Sequence, residues 1–147
     1  MKKNIFETTY EQVQNVKKAY DTAHNEAEKE NAVADYNALM EKIEQLGITA
    51  CRIWREYEVA RENGNKRLDI GEVVWDRDVE SLISCMRENG IQEFTFSSNW
   101  SGAVETAWLF TQNGCELIGI TELNGGPKHP EDEYEKKHGY LFQVKQS

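Results

Sequence analysis

Between Gln92 and Gln146 the chain reads strand, serine-rich turn, apolar helix, strand, acidic segment and strand within 55 residues, and that order admits few folds. Glu93-Phe94-Thr95-Phe96 alternates, which places both phenylalanines on one face of a strand. Ala103 to Asn113 is apolar around much of a helical circumference, so a largely buried helix is expected, ended by Gly114. Cys115 to Leu123 follows with Leu117, Ile118, Ile120 and Leu123 supplying both faces of a strand, which predicts a central position in the sheet. A strand, helix, strand unit closes as a right-handed parallel crossover. Tyr140-Leu141-Phe142-Gln143-Val144 can then pair with the central strand, antiparallel across the connecting loop. The expected class is α+β.

The first 46 residues contain neither Gly nor Pro. Thr8-x-x-Glu11 and Thr9-x-x-Gln12 have capping-box spacing, predicting a helix that begins near residue 9. Val13, Val16, Tyr20, Ala23 and Ala27 mark one stripe, and Leu39, Ile43 and Leu46 continue it later, with a weak stretch from Glu28 to Asp35. Either the helix bends or breaks there, or it runs on as an arm of about 38 residues, roughly 57 Å long. An unbroken arm would need a partner helix, for which a homodimer is the simplest solution; a helical pair would pack within the chain, and Gly47 permits an immediate reversal. Ile53, Trp54, Tyr57 and Ala60 define another helix, ended by Asn63-Gly64, and Val79, Leu82, Ile83 and Met86 one more, with Asp76 as its expected cap and Asn89-Gly90 as its end. The turn from Asn63 to Arg67 divides a helical part, 1–64, from an α/β part, 68–147, within one domain of 147 residues.

The net charge of −9 sits in two places. Asp21 to Leu46 and Glu116 to Glu135 each carry −5, and the rest of the chain sums to +1. Such a chain repels nucleic acid directly and favours a cationic partner. Arg52, Arg55 and Arg61 alternate with Glu56, Glu58 and Glu62 and read as ion-pair surface rather than as a nucleic-acid groove. No apolar run is long enough to span a membrane, and the start lacks the apolar core of a secretory signal, so a cytoplasmic location is expected. Three widely spaced cysteines, Cys51, Cys85 and Cys115, suit neither a disulfide framework nor a metal site.

Two segments carry the candidate chemistry. Ser97-Ser98-Asn99-Trp100-Ser101-Gly102 joins a strand end to a helix start, where backbone N–H groups and the hydroxyls of Ser97, Ser98 and Ser101, with Gly102, can hold an anion. It is neither a phosphate-binding loop, a dinucleotide fingerprint nor a nucleophile elbow. Trp100 is either a partner anchor or a core residue lidding the helix. Asn124 to His138 is expected as a fifteen-residue loop with two histidines, His129 and His138, and the acids Glu131, Asp132 and Glu133. Neither segment spaces its residues as a metal site, and no cofactor is expected.

The run from Phe94 to Trp108, with Tyr134-Glu135-Lys136-Lys137-His138-Gly139-Tyr140-Leu141-Phe142, resembles a family of small uncharacterised acidic proteins of bacterial plasmids, prophages and conjugative elements. The similarity covers about the last third of the chain and transfers no functional residue. It implies a setting in which small proteins manage replication or blunt host defence, including inhibitors of CRISPR and restriction systems. The end of the chain is also similar in element order to an acetyltransferase of the GNAT type, but it lacks the Arg/Gln-x-x-Gly-x-Gly/Ala loop that holds coenzyme A, so no catalytic residue is assigned. The leading expectation is a non-enzymatic cytosolic binding protein that meets a basic, nucleic-acid-processing partner through Glu26, Glu28, Glu30, Asp35, Glu131, Asp132, Glu133 and Trp100. The alternative is a small-ligand or acyltransferase-like domain with an anion site at Ser97 to Gly102.

Overall fold

A computed structural model describes residues 3–128 and 133–146. Its helices are α1 (Ile5–Asp21), α2 (Glu26–Gln45), α3 (Ile48–Glu62), α4 (Val79–Glu88) and α5 (Ala103–Gln112); its strands are β1 (Leu68–Ile70), β2 (Glu93–Phe96), β3 (Cys115–Lys128) and β4 (Tyr134–Val144). The class is α+β, with a mixed sheet in the order β1-β2-β4-β3. β1 and β2 are parallel, and β4 runs antiparallel to both β2 and β3.

The N-terminal region is a helical pair followed by a third helix. The first helix starts four residues before the predicted position because Asn4 caps it: Asn4 Oδ1 accepts from the Phe6 and Glu7 amides at 3.0 and 3.1 Å. That early start carries Phe6 and Thr9 into buried positions. The chain breaks at Thr22 to Asn25, ahead of the weak stretch the apolar stripe marks. There the Asn25 side chain accepts from the Glu28 amide at 2.9 Å, and Glu28 Oε2 accepts from the His24 amide at 2.6 Å. α2 therefore turns back along α1, and no continuous arm forms. Gly47, at φ 107°, makes the reversal into α3. Ile53, Trp54, Tyr57 and Ala60 are all buried, with Tyr57 meeting Phe6 and Tyr10 edge-on or tilted at 6.4 and 6.2 Å.

The sheet and the helices around it depart from the expected ones in several places. A three-residue strand, β1, precedes the first one expected; it is too short to show alternation, and Asp69 interrupts it. β3 lies at an edge, and β4 occupies the centre. The apolar run of β3 is not buried on both faces, since Leu117, Ile118 and Ile120 are exposed, Ile120 by 70%. A bulge between Leu117 and Gly119 adds one residue there and shifts the alternation. The segment 124–138 is mostly strand: β3 continues to Lys128 and β4 starts at Tyr134, so a hairpin replaces the long loop. Finally, Val104 and Trp108 of α5 are exposed, so that helix buries one side only. Asp76 opens a 3₁₀ turn, Asp76–Asp78, rather than capping α4.

The register sorts side chains to two faces. Leu68 and Ile70 align with Phe94 and Phe96, and Phe94 aligns with Phe142. These residues are buried with α4 and α5, where the Phe110 ring lies 5.2 to 5.3 Å from Phe94, Phe96 and Phe142. Asp69 and Thr95, paired one position on, project from the opposite face. α3 packs against β1, and Asn65 ties the hairpin to the turn after α3. Asn65 Nδ2 donates to the Asn124 carbonyl at 2.8 Å while Asn65 Oδ1 accepts from the Asn124 amide at 2.9 Å. This arrangement leaves a polar cleft between α3, the end of β1 and the hairpin.

Candidate functional site

The cleft has a volume of about 340 Å³ and is lined by Arg55, Glu56 and Val59 of α3, by Asp69 and Gly71 at the end of β1, and by Lys137 of β4. Asp69 is fully engaged. Its Oδ1 accepts from Thr95 Oγ1 at 2.8 Å, and its Oδ2 accepts from Ser97 Oγ at 2.8 Å and faces Lys137 Nζ at 3.2 Å. The carboxylate thus fixes the lysine on the outer face of the sheet. Gly71 sits beside this group: a Cβ there would stand 3.5 Å from both Asp69 Oδ2 and Lys137 Nζ.

Glu56 closes the other wall and is only 8% exposed. Its Oε1 accepts long hydrogen bonds from the Gly71 and Glu72 amides, at 3.3 and 3.4 Å. Its Oε2 is buried and accepts no hydrogen bond among the described residues; Arg52 Nε stands 3.8 Å away, beyond hydrogen-bond reach. Arg52 is held elsewhere, donating to the Val73 carbonyl at 2.8 Å and lying 3.8 Å from Asp78. Burial raises the Glu56 pKa from 4.5 to about 7, against the pull of Arg52 and the Glu72 amide, with the Glu72 charge adding to the rise. Among the described residues no group of three or more His, Cys, Asp or Glu is placed to hold a metal ion.

The residues singled out in the sequence lie in three separate places. Glu26, Glu28, Glu30 and Asp35 are all exposed on α2. Glu28 is committed to the cap at the α2 start, and Glu26 lies 3.9 Å from Lys29. Beside this helix, α1 and α2 leave an apolar groove of about 290 Å³ between Val16, Tyr20, Ala32, Val33 and Tyr36, with Lys17 and Asp21 at its rim. In the strand-to-helix turn, Ser97 donates to the Asp69 carboxylate, and Gly102 caps α5 without a side-chain hydrogen bond. The Trp100 indole lies against Gly102, where a Cβ would come within 2.2 Å, and meets Trp75 edge-on at 5.5 Å. Trp100 is half-buried in this packing, while Ser101 is exposed and Ser98 half-buried. Glu133 is exposed just before β4; Glu131, Asp132 and His129 lie outside the described residues. His138 is on β4, opposite Glu122.

Residues 52–144 match a family described as a domain of unknown function, DUF7698. The chain belongs to this family. No curated protein and no solved structure matches it. The DUF7698 stretch begins within α3, ends with β4 and takes in the sheet, α4, α5 and every residue of the polar cleft. α1 and α2, with the acidic face and the apolar groove, lie outside the matched residues. The cleft of the DUF7698 part was not visible in the sequence, because Glu56 reads as one member of an alternating charged helix face and Asp69 falls between the elements that the apolar pattern marks. An acid in the α3 stripe directly before buried Tyr57 was the available signal.

Proposed function

We propose that the chain is a cytosolic binding protein of a mobile element, and that its acidic helical pair engages a basic, nucleic-acid-processing protein of the kind that CRISPR or restriction systems deploy. The observation that carries this reading is the pairing of two features on one hairpin. α2 exposes Glu26, Glu30 and Asp35, and the neighbouring groove exposes apolar side chains, Tyr20 by 44% and Val33 by 47%. Charge of one sign steers the encounter, and aromatic side chains in a groove supply the fixed contacts. Tyr20 and Tyr36 serve as the anchors, with Glu30 one helical turn from Val33 on the same helix. The mobile-element setting rests on the resemblance of the segments around Trp100 and Tyr140.

The test is a pull-down from nuclease-treated lysate at low and high salt, comparing the native chain with a Glu26→Gln, Glu30→Gln, Asp35→Asn variant. Glu28 is left in place so that the α2 cap persists. A basic nucleic-acid-binding protein retained at low salt by the native chain alone is the expected result. Equal retention by the variant, or retention that salt does not weaken, overturns the proposal.

A further inference from the structure

The two edges of the sheet are finished differently. At one edge β1 is three residues long and packs against α3, and a short, covered strand does not pair with another chain. At the other edge β3 runs for 14 residues and, among the described residues, pairs only with β4. The amides and carbonyls of its outer side have no strand beside them. A bulge interrupts the strand at Ile118, but from Gly119 to Asn124 the register with β4 is unbroken, leaving a regular edge. Its side chains are apolar where a solvent-facing edge is normally charged. Register sorts Leu117 and Ile120 to the face that holds Phe142, and both are exposed, with Ile118 exposed between them. α5, which packs on β3, extends this surface. Thr106 donates to the Val74 carbonyl, in the segment that follows β1. Val104 and Trp108, two residues to either side of Thr106, stand about 160° around the helix from it and so turn toward β3, both exposed. The five side chains together expose on the order of 500 Å², the size of patch that is often functional on a monomer. A standard interface takes roughly 800 Å² from each partner, a figure that paired backbone and flanking polar groups bring within reach.

We propose that the β3 edge binds a second copy of this chain, the two β3 strands pairing antiparallel about a two-fold axis at Ile120 and joining two four-stranded sheets into one. The strands β2, β4 and β3 already run antiparallel in turn, and the new pair continues that alternation. Charge selects the register. Glu116 and Glu122 bracket the apolar stretch, and an axis at Gly119 would set one against the other. An axis at Ile120 moves the acids out of opposition, places each Ile120 against its counterpart and sets Thr121 against Gly119. The two α5 helices then flank the paired strands on one face, with Val104 and Trp108 of each beside the isoleucines. The acidic helical pair takes no part in this contact. Each copy carries a net charge of −9, so the copies repel at long range and salt strengthens their association by screening, the reverse of the salt dependence of an acidic surface on a basic partner.

The experiment measures the mass of the full chain by sedimentation equilibrium from low to high micromolar concentration, at low and at moderate salt. A reversible rise to twice the mass of one chain, tighter at the higher salt, is expected. Ile120→Glu sets like charges against each other at the axis, and the fold tolerates it because the side chain is 70% exposed. It is expected to weaken association at least about tenfold. Ile48→Glu makes the same change at an 88% exposed position on α3, away from the edge, and is expected to leave association unchanged. Hydrogen exchange of the amides between Gly119 and Leu123 is expected to slow as the native chain is concentrated. The proposal is overturned if the native chain keeps the mass of one copy throughout, if Ile120→Glu associates as tightly as the native chain, if Ile48→Glu weakens association as much as Ile120→Glu does, or if exchange in β3 does not depend on concentration.

Discussion

A carboxyl group buried beside an arginine it does not reach makes Glu56 the residue with the clearest pH signature. Because the folded state holds the proton up to about pH 7 and the unfolded chain releases it near 4.5, the folded state binds more protons between those values. Stability from this group is therefore full below pH 4.5 and lost as pH rises through 7, a difference of about 3 kcal/mol at most. Urea denaturation at pH 5.5 and pH 8 is expected to show the native protein weaker at the higher pH, with Glu56→Gln levelling that difference; an unchanged slope in the variant would refute the assignment. Thiol chemistry follows the same logic. Burial pushes Cys115 up to about 11 and raises Cys85 too, while Cys51 is half-buried on α3. A thiol-reactive dye is expected to label Cys51 quickly and the other two only on unfolding. The sequence marked all three cysteines as unpaired, but it could not rank them, since their reactivity depends on neighbours brought from other elements.

At the scale of elements, the most informative correction is the break between α1 and α2. The apolar stripe weakens from Glu28 to Asp35 and left a bend or break there, or an unbroken arm, open; the cap at Asn25 with Glu28 three residues on puts a break ahead of that stretch. Local hydrogen bonds to amides that would otherwise lack acceptors outweigh a gradual loss of periodicity. Asn25→Ala is expected to cost about 1 kcal/mol in urea denaturation, and no change in midpoint would show that tertiary packing alone sets the break. Helices α3 and α4 were legible because their stripes, Ile53 to Ala60 and Val79 to Met86, coincide with buried faces. β3 misled because an apolar composition does not distinguish a central strand from an edge, and a one-residue bulge at Ile118 reverses the face each later residue occupies. The acidic hairpin was read as a loop because strand residues such as Glu135, Lys136 and Lys137 are poor strand formers, held in place by β3 and by Asn65.

In the whole molecule, one continuous core joins the helical pair to the sheet, running from Phe6 and Val13 through Tyr57 to Phe94, Phe110 and Phe142. Phe142 stands at the centre of the ring cluster, with Phe94 stacked at 5.4 Å and Phe110 tilted at 5.3 Å. Phe142→Ala is expected to destabilise the protein by about 3–5 kcal/mol, enough to leave the variant largely unfolded at moderate urea. Equal midpoints would mean that the aromatic cluster does not govern stability. The α+β class was readable from element order, but the placement of β4 was not, because strand order depends on which edges the crossovers leave open. That placement has a consequence for synthesis. Among the described residues β4 is the last strand in chain order, yet it lies between β2 and β3 and pairs with both. Until β4 has been made, β3 lacks its sheet neighbour and Phe94 its stacking partner, so the sheet cannot close before the last of its four strands joins it.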